Sequence, residues 1–148
     1  MSDNIFQILL ADDDETDRLL FKEAFSELKI KTVVETVKNG EELMQWLNND
    51  HYQLPNLLFL DLNMPRKNGI DCLKEIRNNI KLKDILIAIY STSSSEKDIE
   101  ETFRNGANIY IHKHTDFNIL KQALEKAVST AFKYKDETMK RENFLLRI

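Results

Sequence analysis

The chain has a single cysteine, Cys72, in 148 residues. That excludes an internal disulfide and any metal site built on several thiolates. Cys72 stands among Ile70, Leu73 and Ile76, which marks it as helix packing. No apolar run approaches the roughly 20 residues a bilayer span needs. The N-terminal stretch MSDNIFQILLADDD has no basic residue ahead of its apolar run, and acids cut that run short. It is not a secretory signal, so the expected location is the cytoplasm. Internal repeats and low-complexity segments are absent. His51, His112 and His114 show no metal-ligand spacing. An excess of basic charge is missing too. The net charge of −4 argues against nucleic acid as a direct partner, and the length leaves no room for a separate DNA-binding module.

What is present describes one folded domain. Apolar residues make up 42% and charged residues 31%, which is globular rather than disordered composition. A chain of this length buries roughly two-thirds of its unfolded surface. Strands are expected at 5–11, 31–37, 57–61, 85–90 and 108–113. Helices are expected at 15–28, 39–50, 68–80, 93–106 and 115–132. Ile70, Leu73, Ile76 and Ile80 fall in line on the third helix; Phe117, Leu120, Leu124, Ala127 and Ala131 do so on the last. Ser95 and Asp98 have the spacing of a capping box, and Asn105-Gly106 that of a helix stop. Strand and helix alternate five times, and the strands at 57–61 and 85–90 read as unbroken apolar runs. That pattern predicts a parallel sheet covered by helices on both faces. The tail KYKDETMKRENFLLRI, 133–148, falls outside the repeat. It is charged and then apolar, suited either to packing back as a helix or to docking elsewhere.

Parallel α/β sheets carry their working groups at the carboxyl ends of strands. There the sequence places Asp12 and Asp13 after the first strand and Asp61 after the third. Ser91 and Thr92 follow the fourth, and Lys113 the fifth. Asp14 and Glu15 read better as caps of the first helix. With strand order 2-1-3-4-5, the first and third strands are neighbours and three carboxylates share a crevice. Like charges that close repel, unless a cation lies between them. Oxygen ligands without thiolates suggest Mg²⁺, which favours carboxylates plus phosphate. A lysine and a hydroxyl beside such a cation make a place to hold a phosphoryl group.

The stretches ILLADDDETDRLL, LLFLDLNMPRKNG, IAIYSTSSS and NGANIYIHK resemble the receiver domain of two-component response regulators, over residues 5 to about 130. The resemblance implies a flavodoxin-like three-layer (βα)5 sandwich, with five parallel strands in the order 2-1-3-4-5. It implies a receiver over 1–132, followed by the tail and no separate output domain. It also implies roles. Asp61 is the phosphoacceptor. Asp13 ligates Mg²⁺ directly, Asp12 directly or through water, and Asn63 through its backbone carbonyl. Ser91 is the switch hydroxyl, Tyr110 the switch aromatic, and Lys113 the partner of the phosphate. Asn63 and Ser93 tune the acyl-phosphate lifetime, and Pro65 and Gly69 shape the loop after Asp61. The phosphoryl donor is a sensor histidine kinase or a histidine phosphotransfer protein. Output then runs through a downstream protein target or onward phosphotransfer, from a monomer or a phosphorylation-dependent dimer. Such a chain is a phosphoacceptor signalling protein rather than an enzyme.

One position departs from the resemblance. Receivers usually have proline after the lysine, joined by a cis peptide, and here it is His114. A cis bond without proline costs roughly 2.5–4 kcal/mol, so the loop either carries that cost or is trans. Two other classes also use such a scaffold. A haloacid-dehalogenase-type phosphatase needs a second Asp two residues after its nucleophile, where this chain has Asn63. A flavodoxin-like flavin binder needs a phosphate loop after the first strand. The hydroxyl-rich STSSSE follows the fourth strand instead and lacks glycine.

Overall fold

The computed structural model describes residues 5–133 and Phe144. Apart from Lys133 and Phe144, the tail expected at 133–148 lies outside the described residues. The strands are β1 (Phe6–Ala11), β2 (Thr32–Val37), β3 (Leu57–Leu60), β4 (Leu86–Ser91) and β5 (Ile109–His112). The helices are α1 (Glu15–Ser26), α2 (Gly40–Leu47), α3 (Gly69–Arg77), α4 (Glu96–Arg104) and α5 (Phe117–Lys133). All pairings are parallel, in the order β2-β1-β3-β4-β5. This is the expected flavodoxin-like arrangement.

The apolar runs are explained by two cores. Leu9, Leu58, Leu60, Ile87 and Ile89 point to the face covered by α2, α3 and α4. Their neighbours Ile8, Leu10, Leu57, Phe59 and Ala88 point to the face covered by α1 and α5. Alternate residues thus serve opposite layers, and β3 at the centre has no polar position at all. At the sheet edge, β2 exposes Val33 and Glu35 and alternates instead. Side chains start the helices: Asp14, Asn39, Asn68 and Ser95 each accept the N–H three residues on.

Three readings are refined. Ile80 is 89% exposed, because α3 stops at Arg77 with Asn78 as its cap; Leu82 takes the buried place. Phe117 is only partly buried, at the margin of the α1–α5 core. The capping box is half made. Ser95 Oγ accepts the Asp98 N–H, but Asp98 accepts the Ser93 hydroxyl rather than the Ser95 N–H.

The end of the sheet away from the strand carboxyl ends is locked by one side chain. Arg77 Nε donates to the Gly106 carbonyl (2.9 Å), and one terminal nitrogen to the carbonyls of Lys83 (2.8 Å) and Ile85 (2.7 Å). The other reaches Asn108 Oδ1 at 2.9 Å. One planar fork therefore joins the end of α3 to the entries of β4 and β5, a geometry lysine cannot reproduce. Arg77→Lys and Arg77→Ala are expected to lower unfolding free energy by about 2–4 kcal/mol, the lysine form the less. Urea denaturation checks this, and an unchanged midpoint in both variants would refute it.

Candidate functional site

Register builds the site. Ala11 pairs with Leu60, so Asp12 and Asp61 leave the sheet side by side. Ser91 pairs with His112, so Lys113 follows directly beside β4. Backbone bonds fix these exits: Asp12 N–H donates to the Val37 carbonyl, Asp61 N–H to Ala11, and Lys113 N–H to Ser91.

Asp12 is fully buried, Asp61 is 5% exposed, and Asp13 is exposed. Carboxylate oxygens of the three lie within 4.8 Å of one another. Lys113 Nζ stands 2.8 Å from Asp12 Oδ2, 3.0 Å from Asp17 Oδ2 and 3.4 Å from Asp61 Oδ2. It also lies 5.2 Å from the centre of the Tyr90 ring. Asp12 Oδ1 accepts the Asp14 N–H at 3.0 Å, and Asp61 Oδ1 accepts the Asn63 N–H at 3.3 Å. Asp12 Oδ2 has the lysine charge beside it but no donor aligned on it, although it is buried.

Burial is the main cause pushing Asp61 up to about 6. The Asp12 charge adds to it, and Lys113 opposes it. Burial likewise raises Asp12. For Lys113, burial pulls the pKa down, but contacts with Asp12, Asp61 and Asp17 outweigh it and the ammonium is held. A single lysine thus faces more carboxylate charge than it can neutralise. An under-coordinated buried oxygen, two more carboxylates within reach and no sulfur donor fit a hard divalent cation.

The loop after Asp61 is tightly drawn. Lys67 N–H donates to the Pro65 carbonyl at 2.7 Å across Arg66, whose φ is 69°. The loop returns to Asp61 at Gly69, whose N–H donates to Leu62. A Cβ at Gly69 would collide with the Asp61 carbonyl oxygen, so only glycine fits.

Beside the acids, Ser91 is buried and its Oγ accepts the Ser93 N–H at 3.0 Å. Ser93 Oγ donates to Asp98 Oδ2 at 2.6 Å. Tyr110 is buried, and its hydroxyl donates to the Ser93 carbonyl at 2.9 Å. The Lys113–His114 peptide is trans, as is every peptide bond among the described residues. Lys113 reaches the acids without the cis turn that the proline would have brought. His114 instead sets its ring 5.4 Å from that of His112.

The structure therefore brings Asp12, Asp13, Asp61 and Lys113 together, with Ser91 and Asn63 bordering them and Tyr110 linked through Ser93. Sequence reasoning missed Asp17, Tyr90 and Asp98. Asp17 had a signal, one helical turn beyond Asp13. Asp98 was read only as a capping partner of Ser95, and Tyr90 meets the site through the Lys113 ammonium.

The family described as the response regulator receiver domain matches residues 8–125. The chemotaxis protein CheY1 of Helicobacter pylori is 31% identical over 124 residues, covering 84% of this chain and 98% of that protein. The Mn²⁺-bound form of the response regulator Rcp1 is 28% identical with a TM-score of 0.76, covering 91% of this chain and 99% of that one. The phosphorylated cyanobacterial phytochrome response regulator RcpA is 30% identical with a TM-score of 0.78, covering 90% and 97%. Since the matched span runs from β1 into α5 and takes in every residue of the acid cluster, the chain belongs to the response regulator receiver domain family.

Proposed function

We propose that Asp61 is the phosphoacceptor of a two-component phosphorelay, charged from a phosphohistidine on a sensor kinase or a histidine phosphotransfer protein. The reading rests above all on one observation: a buried carboxylate at a strand end, facing a lysine that two further acids share. A carboxylate oxygen of Asp61 attacks phosphorus while the N–P bond of the donor breaks. The donor imidazole departs with the bonding pair and takes up a proton. Lys113 is placed to balance charge on the transferred group as Asp61 loses its own. Mg²⁺, held by Asp12, Asp13, Asp61 and the Asn63 carbonyl, supplies further neutralisation of phosphoryl oxygens when bound. Ser91 offers a hydroxyl to the same oxygens. Hydrolysis later returns the carboxylate and inorganic phosphate: water oxygen bonds to phosphorus and the acyl P–O bond breaks. In support stand the metal-bound Rcp1 and the phosphorylated RcpA, whose fold this chain shares. The signal passes to a downstream protein or onward as phosphate, in the cytoplasm. No helix among the described residues is long and apolar enough to cross a membrane.

Incubation with acetyl phosphate and Mg²⁺, followed by intact mass, tests this directly. One added phosphoryl group is expected in wild type and none in Asp61→Asn or after chelation. Lys113→Ala is expected to slow labelling by about 100-fold. Labelling that survives Asp61→Asn would place the acceptor elsewhere.

The acid cluster also has a pH signature. Asp61 has its pKa raised to about 6 from 3.8. A carboxyl group raised on folding destabilises above its folded pKa and is relieved as pH falls toward its unfolded value. In chelator, Asp61→Asn is therefore expected to be more stable than wild type by about 2 kcal/mol at about pH 7.5, and nearly equal at about pH 4. Urea midpoints at the two values read the difference, and a gap independent of pH would contradict the cause given.

A further inference from the structure

Phe144 is the one described residue beyond α5. Its ring is fully buried, 5.3 Å from that of Phe103 on α4 and 6.0 Å from that of Tyr110 on β5. It belongs to the core under α2, α3 and α4, whereas α5 packs on the opposite face of the sheet. The chain therefore places an aromatic from beyond its last helix on the far side of the sheet, in a socket that α4 and β5 form beside Tyr110. Phe144, in a charged segment that the repeat does not explain, supplies that anchor.

The socket is wired to the acid cluster. Tyr110 hydroxyl donates to the Ser93 carbonyl, and Ser93 N–H donates to Ser91 Oγ. Asp98 of α4 accepts the Ser93 hydroxyl. A Ser91 hydroxyl drawn to a phosphoryl oxygen leaves Ser93 N–H, and the Tyr110 bond then becomes the tie that holds this loop to β5. Phe144 covers Tyr110 in the buried rotamer that makes that bond. If Tyr110 swung out, the socket would lose one of its two rings.

We propose that the α4–β5 socket is a binding site for an aromatic anchor, that Phe144 of the chain's own tail occupies it, and that its docking is coupled to phosphoryl binding at Asp61 through Tyr110, Ser93 and Ser91. The coupling rests on the phosphoacceptor reading; the docking does not. By reciprocity, Phe144 docking strengthens phosphoryl-group binding as much as that binding strengthens docking. A protein partner using this face would present an apolar anchor of its own and compete with Phe144.

The test uses the full chain as wild type, Phe144→Ala, Phe144→Leu, and Phe132→Ala, which removes an exposed aromatic tilted against Phe6 instead. Hydrogen exchange without ligand reads docking. Phe144→Ala is expected to speed exchange across α4 and β5 by roughly threefold or more, with Phe144→Leu intermediate and Phe132→Ala silent. Equal exchange in wild type and Phe144→Ala overturns the docking. Calorimetric titration with beryllofluoride and Mg²⁺, a phosphoryl mimic, reads coupling. Phe144→Ala is expected to bind it about fivefold more weakly. Affinity within twofold of wild type, or tighter, overturns the coupling. Wild type that takes up no beryllofluoride removes the phosphoacceptor reading and the coupling with it, while the exchange result still decides the docking. Should Phe144→Ala fold poorly, Phe144→Leu carries both comparisons.

Discussion

A single ammonium group, Nζ of Lys113, lies within 3.4 Å of three carboxylates, two of them buried. Everything near it is arranged around that imbalance. Two buried acids side by side would repel severely without a cation. The lysine offsets part of this, but burial, with the Asp12 charge added, still holds the Asp61 pKa up. A site with charge to spare is a site that gains when more positive charge, or a group carrying it, arrives. The parallel register is what makes the arrangement unavoidable. Once Ala11 pairs with Leu60, the next residue on each strand must emerge beside the other.

The fold was legible because each core strand is apolar on both faces, and because every helix begins at a polar cap. Asp12, Asp13, Asp61 and Lys113 were legible for a related reason. A polar residue ending an apolar run has only one place to go in a parallel sheet. The misreadings share a cause as well. Ile80 keeps the helical spacing of Leu73 and Ile76, but spacing carries no information about where Asn78 ends the helix. Asp17 stands one helical turn beyond Asp13, but only the fold brings Lys113 from the far end of the chain to it. Whether Lys113–His114 is cis or trans depends on loop closure, which a dipeptide cannot reveal. Phe144 stood out in sequence as apolar, but its destination on the opposite face of the sheet is a fact of tertiary packing alone.

The two ends of the sheet do different work. At the strand entries, Arg77 satisfies four acceptors with one fork and leaves little to rearrange. At the strand exits, polar groups are clustered but incompletely matched: Asp12 Oδ2 lacks an aligned donor, Arg66 takes a left-handed φ, and one lysine serves three acids. On the proposed phosphoacceptor reading, that separation would let the exits change state without threatening the core.

Between the acids and the α4–β5 surface the connection is short. Ser91, Ser93 and Tyr110 form a chain of two hydrogen bonds, 3.0 and 2.9 Å, with Asp98 tying Ser93 to α4. Such a chain does not deform gradually. On the proposed coupling, the Ser91 hydroxyl would either face the Ser93 N–H or turn toward the acids, and the Tyr110 ring would either fill its place or vacate it, because a closely packed interior has no room between. On the proposed phosphoacceptor reading, a charge placed on Asp61 would act on the surface by selecting among discrete packings. Since Tyr110 and Phe103 are also the rings that Phe144 touches, whatever selects the packing also selects how well that anchor sits.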